Sequence, residues 1–256
     1  MTWDPGEYLA YADHRTRPAI DLLARIPLRA PRRIADLGCG PGNSTALLAA
    51  RWPDADILGL DSSPEMLAKA RATDLRARWL QADIADWQPD ERVDLIYANA
   101  VLHWLDGHAM LLPRLISFLA PGGVLAVQMP RNFDAPSHQL LREVAESGPW
   151  ADRLAATLRR RPVAEPDWYH DLLTEGCRAL DIWETSYLHV LEGADPVLRW
   201  TRSTAMRPVR DALSGSTLAA FEAAYAARLR EAYPARPDGR TLFPFRRLFI
   251  VAQARD

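Results

Sequence analysis

The chain has 256 residues, 48% hydrophobic and 25% charged, with a formal net charge of −2. That length and balance support a full hydrophobic core and exclude a disordered chain, and the near-neutral charge argues against a nucleic-acid binder held by phosphate contacts. Two cysteines, Cys39 and Cys177, are too few for a disulfide framework. The charged residues Asp4, Glu7, Asp13 and Arg15 do not suit a signal peptide, and no apolar run reaches the roughly eighteen residues of a membrane span, so a cytoplasmic location is expected.

Residues 3–26 read as an N-terminal helix around Pro18. Arg32-Arg33-Ile34 then leads into Ala35-Asp36-Leu37-Gly38-Cys39-Gly40-Pro41-Gly42-Asn43, and Ser44 to Arg51 has helical character. A short buried strand therefore runs into a glycine turn and then a helix. Glycine lets a ligand approach the backbone where a Cβ would collide, and the helix start leaves N–H groups without intrahelical partners. A dinucleotide site wants G-x-G-x-x-G, but the residue three after Gly40 is Asn43. The G-x-G-x-G spacing after an acid instead resembles motif I of the class I S-adenosylmethionine (SAM) methyltransferases. SAM has no pyrophosphate to seat; its ammonium and carboxylate suit an acidic strand end and glycine N–H groups.

Ala55 to Leu60 reads as a second strand ending at Asp61, about twenty residues past the loop, where a parallel α/β fold places a ribose-binding carboxylate. Asp61-Ser62-Ser63-Pro64-Glu65 is equally a good helix start with Asp61 as cap, and both roles are compatible. Trp79 to Ile84 fits a third strand ending in Asp83-Ile84. In methyltransferases such a pair holds adenine, the acid taking the exocyclic amine and the apolar residue packing on the ring; the alternative for Asp83 is a surface turn. Val93 to Ala100 is a near-continuous apolar run, as a fully covered strand requires, and it brings Asn99 to the expected sulfonium position. Leu119-Ala120-Pro121-Gly122-Gly123 is a turn before the apolar strand Val124 to Met129. Residues 131–178 read as helical pieces, Leu180 to His189 as a strand, 192–237 as further helices, and Arg247 to Ala254 as the last strand. Residues 32–130 thus alternate strands and helices as βαβ units do.

Ten stretches resemble the trans-aconitate 2-methyltransferase family: Trp3-x-Pro5-x-x-Tyr8-Leu9, Arg15-x-Arg17-Pro18, Ala35 to Thr45, Leu60-Asp61-Ser62-Ser63-Pro64, Ala82-Asp83-Ile84 with Trp87, Ala98-Asn99-Ala100-x-Leu102-x-Trp104-Leu105, Gly123 to Pro130, Asp181-Ile182-Trp183, Arg207-Pro208 and Arg247 to Ala252. The resemblance spans essentially the whole chain. It implies an α/β fold with a doubly wound, mostly parallel seven-stranded sheet, Rossmann-like, in one domain over 1–256. Residues 1–30 would be a helical lid, and 131–178 and 192–244 helical insertions forming a substrate cap. It implies SAM as cofactor, held by Arg15, Asp36, Gly38, Cys39, Gly40, Asn43, Asp61, Ser62, Asp83, Ile84, Trp87 and Asn99, and transfer to one carboxylate of trans-aconitate, giving the monomethyl ester and S-adenosylhomocysteine.

A carboxylate is already ionised at pH 7, its ordinary pKa being about 4, so no catalytic base is needed. Alignment of oxygen, methyl and sulfur, with water excluded, can itself supply ~7–11 kcal/mol. His103 follows Asn99 closely, but the family carries glutamine there, which favours positioning or packing over proton transfer. The carboxylates that are not methylated need cationic partners, and arginine offers a bidentate fork. Arg207 and Arg247 match the family pattern; Gln128, Tyr169 and Tyr187 could add hydrogen bonds, and His103 and Trp104 complete the expected substrate set. The chain departs from the pattern at Arg131-Asn132, where the family has Asp-Asn, and at Arg246, where it has proline; both add positive charge near the expected substrate mouth. The six histidines, His14, His103, His108, His138, His170 and His189, show no metal-ligand spacing. The competing readings are a SAM methyltransferase of another small acid, a phenol or an amine, and a non-catalytic SAM-binding module.

Overall fold

The computed structural model describes residues 12–155 and 163–255, with side chains from Thr16 onward. Strands β1 (Arg33–Leu37), β2 (Asp56–Asp61), β3 (Arg78–Gln81), β4 (Val93–Asn99), β5 (Leu119–Pro130), β6 (Cys177–Leu191) and β7 (Thr241–Ala254) form one sheet in the order β3-β2-β1-β4-β5-β7-β6. β1 pairs in parallel with β2 and β4, β2 with β3, and β4 with β5, whereas β7 runs antiparallel to β5. This is the mixed, mostly parallel α/β sheet that the sequence implies. The strand order reverses between β1 and β4, and the crevice outside the carboxyl ends of strands at such a point is where open α/β sheets bind ligands.

Helices α1 (Ala12–Ala24), α2 (Asn43–Arg51), α3 (Pro64–Arg71), α4 (His108–Ser117) and α7 (Pro166–Leu173) belong with the sheet; α5 (Pro136–Ser147), α6 (Ala151–Leu154), α8 (Pro196–Arg202), α9 (Arg207–Ala212) and α10 (Gly215–Ala232) do not. The described residues divide into a sheet unit (13–130, 163–185 and 247–255) and a helical unit (12, 131–155 and 186–246). β6 and β7 pass from one unit into the other between Thr185 and Ser186 and between Arg246 and Arg247.

Within the sheet unit, β1, β4 and β5 are buried on both faces: Ile34, Leu37, Leu95, Ile96 and Val124 to Val127 have almost no exposure, which explains their unbroken apolar sequence. The Tyr97 hydroxyl donates to the Ala19 carbonyl at 2.7 Å, tying α1 to β4. The Arg51 guanidinium donates to the carbonyls of Leu23 and Ile26 at the end of the same helix. The helical unit is built on aromatics. Trp150, Trp200, Phe221, Tyr225 and Phe243 share one core, with the Trp150 and Phe221 ring centroids 5.0 Å apart, edge to face.

Several boundaries differ from the sequence reading: β6 runs from Cys177 to Leu191 rather than Leu180 to His189, and β7 begins at Thr241 rather than Arg247, inside the stretch read as a helical insertion. β3 stops at Gln81, so Asp83 and Ile84 lie in the turn after it. The Pro-Gly-Gly turn falls inside β5: Leu119 pairs with Val93, the register then slips, and Gly122 turns at φ 69° before Val124 pairs with Leu95. The helix after β2 is capped by Ser63, whose Oγ accepts from the Met66 N–H at 3.3 Å, and not by Asp61.

Candidate functional site

The glycine turn follows β1 directly. Gly38, Gly40 and Gly42 all have positive φ, 65°, 56° and 96°, so the spacing marks three left-handed positions where a Cβ is strained. Each also has its own neighbourhood. A Cβ on Gly38 would lie 2.2 Å from Val101 Cγ2, and one on Gly42 would lie 3.1 Å from the Trp79 ring, whereas one on Gly40 would project into open space. Gly38 therefore permits the close approach of the turn after β4. Gly40 faces the space a ligand would fill.

The glycine amides are used differently from the sequence expectation. Gly40 N–H donates to Asp61 Oδ2 at 2.9 Å and Gly42 N–H to the Cys39 carbonyl at 3.1 Å. Asp61 also accepts from Ser63 N–H through Oδ1 at 2.8 Å. The carboxylate at the end of β2 is thus fixed against the glycine turn, with lone pairs left for further donors. Cys39 is buried with its thiol pushed up by burial, which keeps it protonated and unreactive.

Asp36 is fully buried in β1. Its Oδ2 accepts from Ser44 Oγ at 2.8 Å and Thr45 Oγ1 at 2.6 Å, and its Oδ1 has no hydrogen-bond partner. Burial pushes its pKa up to about 7, the two hydroxyls opposing the shift and the Asp61 carboxylate adding to it. A buried carboxylate oxygen beside an open glycine turn suits a cationic group.

Around this centre the remaining residues fall as follows. Asn43 opens α2 and is exposed, and Ser62 is exposed. Asp83 is exposed and accepts from Ala85 N–H at 2.8 Å, while Ile84 and Trp87 are buried. Asn99 ends β4 with a buried Oδ1 that has no hydrogen-bond partner. Ala100, next to it, has φ 56° and donates to the Gln128 carbonyl at 2.8 Å. A non-glycine residue held there stores strain, a feature that clusters at functional sites. His103 and Trp104 lie in the 3₁₀ turn Leu102–Trp104, with Trp104 exposed. Arg15 falls in α1, but its side chain lies outside the described residues.

Gln128 and Arg247 sit on the neighbouring strands β5 and β7, both buried. Arg247 Nη1 donates to Gln128 Oε1 at 3.4 Å, which turns the amide so that Nε2, buried and without a hydrogen-bond partner, is the free donor. A guanidinium and an unsatisfied amide N–H side by side are a carboxylate site in chemical type.

Tyr169 already has partners of its own. It is fully buried, and its hydroxyl contacts His108 Nδ1 at 2.7 Å and accepts from Ala164 N–H at 3.2 Å. That hydroxyl is engaged inside the sheet unit. Tyr187 and Arg207 belong to the helical unit: Tyr187 is buried and stacked on His189, and Arg207 begins α9, half-buried. In the same unit Arg131 N–H donates to the Arg246 carbonyl and Arg246 Nε to the Arg131 carbonyl, both at 2.9 Å. Arg246 therefore clips two backbone segments together, a use its charge alone did not suggest. Sequence reasoning also missed His108, because only its partners in space distinguish it from the other histidines. Among the described residues no three His, Cys, Asp or Glu side chains converge on a metal-sized site, and no helix is long and apolar enough to cross a membrane.

A family model described as a methyltransferase domain matches residues 34–123, which hold β1 to β4 and the glycine turn. The chain is 53% identical over 251 residues to the trans-aconitate 2-methyltransferase of Azoarcus sp. (strain BH72), covering 98% of each. It is 54% identical over 252 residues to the protein of that name from Methylobacterium nodulans, again covering 98% of each. Among solved structures, the YcgJ protein of Bacillus subtilis shares the fold at a TM-score of 0.63 and 14% identity, covering 94% of this chain and 99% of that one.

Proposed function

Since the chain belongs to the trans-aconitate 2-methyltransferase family, we propose that it methylates a carboxylate of trans-aconitate with SAM, releasing the monomethyl ester and S-adenosylhomocysteine. The carrying observation is the alignment, at the carboxyl ends of β1, β4 and β5, of three buried polar atoms without partners: Asp36 Oδ1, Asn99 Oδ1 and Gln128 Nε2. Two acceptors and one donor suit a cationic cofactor beside an anionic acceptor. Bound there, SAM supplies a methyl group on a sulfonium.

The chain's residues bind, orient and exclude water. Asp36 and Asn99 present oxygens to the cofactor's positive groups, the open face of Gly40 admits its backbone-hugging tail, and Asp61 takes the ribose hydroxyls. Asp83, Ile84 and Trp87 frame the adenine, the exposed acid for the amine and the buried pair for the ring; Cys39, Asn43 and Ser62 complete the surround. Gln128 Nε2 and the Arg247 guanidinium hold a carboxylate that is not methylated, and the His103-Trp104 turn flanks the acceptor. No base is assigned, because the attacking oxygen is ionised without help. The reading places the enzyme in the cytoplasm, without a metal.

A screen with labelled SAM against trans-aconitate, cis-aconitate, citrate and isocitrate tests the substrate. Transfer to trans-aconitate above the others is expected; no transfer to any of these acids overturns the assignment. Calorimetry with S-adenosylhomocysteine tests the cofactor separately: Asp61→Ala should weaken binding by about thirtyfold through loss of charge-assisted hydrogen bonds, and an unchanged affinity overturns the ribose role.

A further inference from the structure

His108 opens α4 and is 6% exposed; Tyr169 lies in α7 with no exposure. His108 Nε2 lies 2.9 Å from the Leu102 carbonyl, an acceptor only, so that nitrogen carries the hydrogen. The Tyr169 hydroxyl accepts from Ala164 N–H and so turns its own proton toward His108 Nδ1, 2.7 Å away. One chain of hydrogen bonds therefore runs from the backbone at Ala164 through Tyr169 and His108 to the carbonyl of Leu102. That carbonyl also accepts from Leu105 N–H at 2.9 Å.

Leu102 begins the 3₁₀ turn that carries His103 and Trp104. The turn is held at its other side by Ala100 N–H on the Gln128 carbonyl, and Val101 packs onto Gly38 so closely that no Cβ fits between them. The turn is thus clamped between the glycine loop below and the His108–Tyr169 pair behind.

We infer that His108 and Tyr169 are positioning residues: through the Leu102 carbonyl they set where the His103-Trp104 turn stands over the glycine loop, and so the alignment of the acceptor. This rests on the methyltransferase reading given above. Neither residue touches a reacting atom. Buried, paired side chains hold a geometry more tightly than exposed ones, and a misplacement of about 1 Å can cost ~100-fold in rate.

The test compares His108→Leu, which removes the donor to Leu102, with His108→Gln, which retains an N–H at the same reach, and Tyr169→Phe, which removes the hydroxyl. kcat, both KM values, Tm and amide hydrogen exchange of the S-adenosylhomocysteine complex are read for each. We expect His108→Leu to lower kcat by about 30-fold with both KM values within about threefold, and to speed exchange at the Trp104 and Leu105 amides by about tenfold. His108→Gln should recover most of kcat, and Tyr169→Phe should fall between. The inference is overturned if kcat and the two exchange rates stay at wild-type values while only Tm drops, or if His108→Gln is as impaired as His108→Leu. If His108→Leu does not fold, Tyr169→Phe decides by the same readings. If the wild type transfers no methyl to trans-aconitate, the function assignment fails, and the exchange rates in the three variants still decide the positioning role.

Discussion

In the helical unit, buried polar groups close on one another. Tyr225 donates to the Ser137 carbonyl at 2.6 Å, Ser137 N–H donates to the Tyr233 hydroxyl at 3.0 Å, and Trp150 Nε1 donates to the Val144 carbonyl at 2.7 Å. In the sheet unit, Asp36 Oδ1, Asn99 Oδ1 and Gln128 Nε2 stand without partners at the ends of three neighbouring strands. A buried polar atom left without a hydrogen bond costs ~1–3 kcal/mol, and that cost is the reason these three strand ends are proposed as the ligand site. Asn132 Nδ2 is an exception within the helical unit, and it too stands just past a strand end, two residues beyond β5. The aromatic core of the helical unit serves packing, whereas the open strand ends of the sheet unit are the proposed site.

That contrast breaks most sharply at Gly38 and Phe221. Gly38→Ala places a Cβ on Val101 at a left-handed position, and S-adenosylhomocysteine affinity by calorimetry should fall by about 100-fold or more. Phe221→Ala opens a cavity in the aromatic core and should cost about 3–5 kcal/mol in denaturant unfolding, with cofactor affinity per folded molecule within about threefold. Equal losses of affinity in both would erase the distinction. Gln128→Glu exchanges the free donor for an acceptor beside Arg247. KM for the acid should rise by about 30-fold while cofactor affinity holds.

The pH dependence is milder and follows from Asp36. Its folded pKa, raised to about 7 from 3.8, means that the folded chain keeps a proton the unfolded chain has lost between those values. The stability it contributes is full below pH 3.8 and declines as pH rises through 7. Cofactor binding favours the ionised form, so affinity should rise about tenfold from pH 6 to pH 8, with proton release visible as a buffer-dependent binding enthalpy. Asp36→Asn should flatten that slope. The smallest effect belongs to Ala100→Gly, which relieves the left-handed backbone after β4 and should add about 0.5–1 kcal/mol of stability, read as a small rise in Tm.

The sheet was readable because its signals are local. Apolar runs bounded by Gly and Pro give β1, β2 and β4 nearly to the residue, and the Asp36-to-Asn43 turn declares itself through spacing that only left-handed glycines need. The helical insertions were readable as helices but not as a unit, since α7 lies in an insertion and packs with the sheet. Tyr169 illustrates the same point. A tyrosine in a polar helical stretch looks available until His108, 61 residues away in the chain, takes its hydroxyl.

From the residues alone came the alternation of strands and helices, the glycine turn and the acids at the ends of β1 and β2, because short-range sterics and strand periodicity dictate them; the doubly wound seven-stranded sheet came with the family resemblance. Only the folded chain decided which polar groups are satisfied and which are left open: Asp61 drawn onto Gly40, Gln128 turned by Arg247, Leu102 held by His108. Hydrogen bonds between distant segments leave no periodic trace, and each depends on where two strands or helices end.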